Sequence, residues 1–72
     1  MRSLVLVAHG SRRTAANVEV GELAQRVARQ AGECYGFVTH GFLEMAEPSI
    51  PDAIQQAIEV GATEVVVVPY FL

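Results

Sequence analysis

Seventy-two residues, 51% of them apolar and only one of them cysteine, exclude a multidomain protein and a disulfide-stapled scaffold. A net charge of −3, from five arginines, no lysines and eight acids, leaves no basic stripe to neutralise the phosphates of a nucleic acid. No apolar run approaches the roughly 20 residues that span a bilayer, and a lone thiol without a signal peptide is expected of a cytoplasmic protein.

Leu4-Val5-Leu6-Val7-Ala8 is a nearly continuous apolar run, the pattern of a parallel strand covered on both faces, and it predicts a first strand over Ser3 to Ala8. The next residue is His9, followed by Gly10, which lets the backbone turn sharply. Ligands of open α/β sheets bind beyond the carboxyl ends of the strands, so His9 stands where such a protein does its chemistry. The loop Gly10-Ser11-Arg12-Arg13 then leads into a helix N-terminus, whose free N–H groups favour anions. With no acid before Glu19, Arg12 and Arg13 make this end of the chain locally positive, fit for an anionic small ligand or simply solvated at a helix start. The loop matches neither GxGxxG nor GxxxxGK[ST], so no nucleotide motif is present.

A helix is predicted from Thr14 to Ala31, because Ala16, Val20, Leu23, Ala24, Val27, Ala28 and Ala31 recur at spacings of three and four, with Gly32 as its stop. Cys34 is expected to pack beside Tyr35. A second strand follows over Gly36 to Leu43 and ends at Glu44. His40 lies four residues before Glu44, roughly 13 Å away along a regular strand, and is assigned a structural place beneath a helix or at most a supporting one. Met45 is expected in the core, and Glu47-Pro48 reads as the turn into the next helix. Ser49-Ile50-Pro51-Asp52 supplies a serine cap, a first-turn proline and an acid at the third position. Ile50, Ile54, Ala57 and Ile58 are expected to form the buried face of that helix, which Gly61 ends. Four successive valines within Glu64 to Tyr70 predict a third strand.

The pattern βαβαβ indicates an α/β fold with a three-stranded parallel sheet, one domain over residues 1–72. Right-handed crossovers with order 2-1-3 place the first strand in the middle and bring His9 and Glu44 side by side. Imidazole is a common ligand for mid-series divalent metals, a carboxylate is a suitable companion, and both also accept protons. Two such ligands leave an open, exchange-competent site, unlike a closed structural zinc cage. The third strand would lack both a cover and a neighbour, as expected of a chain truncated at its C-terminus or completed by partner chains.

LVLVAHGSR at 4–12, FLEMAEPSIPDAI at 42–54 and GATEVVVVPYFL at 61–72 together resemble the small sirohydrochlorin chelatases, the class II cobalto-, ferro- and nickelochelatases of the sirohaem, cobalamin and related tetrapyrrole pathways. The resemblance covers nearly the whole chain in order. It implies a flavodoxin-like chelatase sandwich with an anionic tetrapyrrole in a cleft at the strand ends. No organic cofactor is implied, and the divalent metal, Co²⁺, Fe²⁺ or Ni²⁺, is a substrate. By the same resemblance His9 binds the incoming metal and accepts pyrrole protons, Glu44 assists it, and the subunits pair as homodimers. Ser11, Arg12 and Arg13 are the residues assigned to the polycarboxylated tetrapyrrole. The family usually carries a second histidine shortly after the strand that ends here in Tyr-Phe-Leu; the sequence stops before it, and His40 is not in the corresponding place. Two other readings remain open: a non-catalytic metal- or tetrapyrrole-binding half-domain, and a phosphoryl-transfer enzyme using His9. The second is disfavoured because Ala8, not arginine, precedes that histidine.

Overall fold

The computed structural model describes residues 1–71. Leu72, the last residue of the third stretch that resembles the chelatases, lies outside them. Elements follow in the order β1 (Arg2–Ala8), α1 (Thr14–Gln30), β2 (Phe37–Phe42), α2 (Ile50–Glu59) and β3 (Glu64–Pro69). The three strands form one parallel sheet of order β2-β1-β3, the arrangement expected from the sequence. β2 and β3 are each shorter than expected, and α1 stops one residue before Ala31. None of the described helices is long and apolar enough to cross a membrane.

β1 is central, and from Ser3 to Ala8 every residue is buried, which is why its sequence does not alternate. Leu4, Leu6 and Ala8 point to the α1 side, where they join Val20, Ala24 and Phe42. Val5 and Val7 point to the α2 side, against Ala53 and Ala57. The α2 layer approaches closely because its contact residues are small. A Cβ on Gly41 of β2 would lie 3.0 Å from Ala53 Cβ and 3.0 Å from Ile50 Cα. The inward stripe of α2 is therefore the buried Ala53 and Ala57 with the partly buried Ile50 and Ile54, and Ile58, expected inside, is 51% exposed.

Both ends of α2 follow the sequence. Ser49 Oγ accepts from the Asp52 N–H at 3.2 Å. At the other end Gly61 takes φ +106°, its N–H donating to Ile58 and that of Ala62 to Ala57. These two bonds satisfy the last carbonyls of the helix. Met45 and Cys34 depart from expectation. Met45, with φ 66°, is exposed on the loop between β2 and α2, and Cys34 is exposed in the turn after α1. β3 is an edge strand with its hydrogen-bonding side open, and Val67, Val68, Tyr70 and Phe71 remain exposed.

His40 lies opposite Leu6 under α1, its ring edge-on to Phe42 at 5.4 Å and within van der Waals reach of a Cβ at Gly21. Burial holds its imidazole below the usual value of 6.5. On acidification the unfolded chain takes up this proton first, so stability is lost as the pH falls from about 6.5 toward the lower folded value. The thermal midpoint of His40→Gln is expected to fall less steeply than that of the parent between pH 7 and 5. Parallel profiles would remove His40 from that account.

Candidate active site

Backbone pairing between β1 and β2 continues past the ends of both strands. The Leu43 N–H donates to Ala8 O at 2.9 Å, and the Glu44 N–H donates to His9 O at 3.1 Å. This extension sets the two side chains abreast, with His9 Nε2 3.2 Å from Glu44 Oε1. From the other side, the Tyr70 N–H donates to Val7 O at 2.7 Å and carries Phe71 toward the imidazole. The two rings meet edge-on, with centroids 6.4 Å apart. His9 thus stands between a carboxylate just beyond β2 and an aromatic ring just beyond β3; the aromatic neighbour had no signal in the sequence.

Both members of the pair are open to solvent, with 63% of the His9 side chain and 52% of that of Glu44 accessible. Among the described residues no three His, Cys, Asp or Glu side chains gather, so the pair offers at most two protein ligands. Two ligands leave most of a divalent metal's coordination sphere free for other donors, the property of a site that passes its metal on.

The turn that presents His9 depends on Gly10, which adopts φ +95°. A Cβ at this position would run into the carbonyl oxygen of Glu44. Beyond the glycine, Ser11 is pinned to α1. Its N–H donates to Asn17 Oδ1 at 3.0 Å, and its carbonyl accepts from Asn17 Nδ2 at 2.8 Å. Ser11 Oγ accepts from the Arg13 N–H at 3.0 Å, serving α1 because Arg13, at the N-cap position, makes no side-chain cap of its own.

A groove of about 580 Å³ opens beside His9, between the strand-end loop and α1, and is lined by Ser11, Asn17, Arg26, Arg29 and Tyr70 among others. Arg12 and Arg13 are exposed on the loop and do not line it. The arginines facing this space come from later turns of α1. His40 takes no part in the pair.

The molecule is a parallel α/β sheet with an open histidine–carboxylate pair at its strand ends, the place where sheets of this kind bind ligands. The chain belongs to the CbiX family, whose profile matches residues 3–72. It is 42% identical over all 72 residues to a sirohydrochlorin cobaltochelatase of Methanocaldococcus jannaschii, covering 49% of that protein. It is 39% identical over 69 residues to the chloroplastic sirohydrochlorin ferrochelatase of Arabidopsis thaliana, covering 96% of this chain and 30% of that one. Among solved structures, a CbiX protein from Marinobacter aquaeolei superposes with a TM-score of 0.66 at 26% identity, over 96% of this chain and 54% of that one. The chain spans about half the length of the cobaltochelatase and well under half that of the ferrochelatase.

Proposed function

We propose that this chain carries the metal-handling pair of a sirohydrochlorin chelatase, inserting a divalent metal into the tetrapyrrole. The observation that carries this reading is the 3.2 Å pairing of His9 Nε2 with Glu44 Oε1 at the ends of two neighbouring strands. The chelatase names of the relatives supply the substrate.

Metallation of a free-base tetrapyrrole releases two N–H protons for each divalent ion that enters the ring, so an effective site holds the ion loosely and accepts protons. His9 in its neutral form presents one basic ring nitrogen, which can bind the ion or take a proton. Glu44 offers two carboxylate oxygens beside it, one directed at the imidazole and the other open to an ion or a proton. Because both side chains are exposed, protons pass from them directly to water. Co²⁺, Fe²⁺ and Ni²⁺ all suit this nitrogen–oxygen donor pair, and geometry and supply decide among them.

Arg12 and Arg13 are proposed to draw in the polycarboxylated tetrapyrrole from their exposed positions, and Ser11 to meet it at the loop. Apparent sirohydrochlorin affinity is then expected to fall severalfold when both arginines become glutamine, most at low ionic strength. Unchanged affinity would withdraw them from the site. A cytoplasmic location and a homodimer are both proposed, the dimer as a use for the apolar side chains left exposed on and beyond β3.

The reading is tested by anaerobic incubation of the chain with sirohydrochlorin and Co²⁺ or Fe²⁺, following absorbance. A rate above that of metal and tetrapyrrole alone supports it, and a background rate from folded protein overturns it. The uncovered β3 edge favours one second reading, a half-domain that binds Co²⁺ but turns over only when completed by more protein. Metal binding without metallation would select that reading.

A further inference from the structure

Asn17 is unused by the chemistry above, yet its carboxamide makes both hydrogen bonds that a pairing strand would make to one residue, to the N–H and to the carbonyl of Ser11. We infer that Asn17 is a positioning residue of the site: through Ser11 it fixes the His9-Gly10-Ser11 turn and thereby the aim of the imidazole at Glu44. This inference rests on the proposal that His9 and Glu44 hold the metal.

The reasoning starts from what fails to hold His9. Its side chain is largely exposed, so little packing directs it, and the residue after it is a glycine, the type with the widest choice of backbone angles. Among the described residues, the hydrogen bonds that tie the turn to other elements come from two sides. On the β2 side the Glu44 N–H holds His9 O, and on the α1 side Asn17 holds Ser11. Asn17 itself is anchored in the first turn of α1, where its own N–H donates to Arg13 O. An amide is required here: an aspartate could accept from the Ser11 N–H but would oppose an anion to the Ser11 carbonyl, and a serine is too short to reach both groups.

Losing Asn17 leaves two polar groups of a half-exposed residue that water can reach, so the fold is expected to survive while the turn loosens. The test is a titration of the 72-residue chain with Co²⁺ alone, read by its visible absorption, on the parent, Asn17→Ala, His9→Ala and Ser49→Ala. Ser49→Ala removes a helix cap on α2 and serves as a destabilised comparison. Asn17→Ala is expected to weaken Co²⁺ binding about tenfold and to alter the Co²⁺ spectrum. Ser49→Ala is expected to lower the thermal midpoint at least as much and leave both readouts unchanged. Parent affinity and spectrum in Asn17→Ala, with binding lost in His9→Ala, would overturn the inference alone. Equal Co²⁺ binding by the parent and His9→Ala would overturn the metal-site reading beneath it.

Discussion

Replacing His9 by alanine is expected to lower the rate of tetrapyrrole metallation by about 10²-fold or more, the contribution of one well-placed proton acceptor. The thermal midpoint should hardly move. The side chain is 63% exposed, makes one contact with Glu44 and one edge-on contact with Phe71, and contributes nothing to either packed face of the sheet. The protein therefore keeps its fold and loses its chemistry, which far-ultraviolet circular dichroism and an absorbance assay on the same sample would establish. An unimpaired rate would place the proton acceptor elsewhere. Glu44→Gln keeps the shape and a hydrogen-bonding oxygen but loses the charge, so a smaller loss is expected.

Gly10→Ala is expected to damage both fold and rate. The position has φ +95°, a conformation that side-chain-bearing residues enter only under strain, and the new methyl would collide with a backbone carbonyl that has no rotamer to change. Relief requires β1 and the Glu44 loop to separate, which also breaks the Glu44 N–H bond to His9 O. A cost of at least about 2 kcal/mol follows, or a drop of roughly 8–16 °C in thermal midpoint for a chain of this size. The residual folded protein should metallate slowly, because the imidazole and the carboxylate no longer face each other. A midpoint within a degree or two of the parent would show that the turn has another conformation open to it.

The architecture was legible because its cause is simple. An apolar run with no alternation has to be buried on both faces, and two short right-handed crossovers then leave few strand orders. The nearness of His9 and Glu44 followed from the strand order, but its detail did not: Ala8 pairs with Phe42, so His9 lies one residue past β1 and Glu44 two past β2, and the Glu44 N–H bond to His9 O brings them abreast. What periodicity missed are the details that depend on size and backbone angle. Ile58 matched the apolar spacing of α2 as well as Ala53 did. The close approach of Gly41 to α2 admits only a methyl, and that contact between two elements decides which residue faces inward. Met45 reads as core by hydropathy, but the loop turns it outward at φ 66°.

At the site, the pair was visible and its support was not. Asn17 sits in the early part of a helix that begins without a side-chain cap at Arg13, and that missing cap was the available signal. An asparagine near such an end frequently bonds to backbone outside the helix. Its partner Ser11 is held by its backbone to Asn17 while its hydroxyl accepts from the Arg13 N–H, a fixing of the loop that leaves the Ser11 O–H free to donate to a ligand.

The central claim is that His9 and Glu44 act as one unit, and a double-mutant cycle on the metallation rate tests it most directly, using His9→Ala, Glu44→Gln and the double variant. The account predicts strong non-additivity, with the double variant about as slow as His9→Ala alone, because a carboxylate without its imidazole has nothing left to assist. Losses that multiply across the two positions would show two groups working independently and would contradict the paired site.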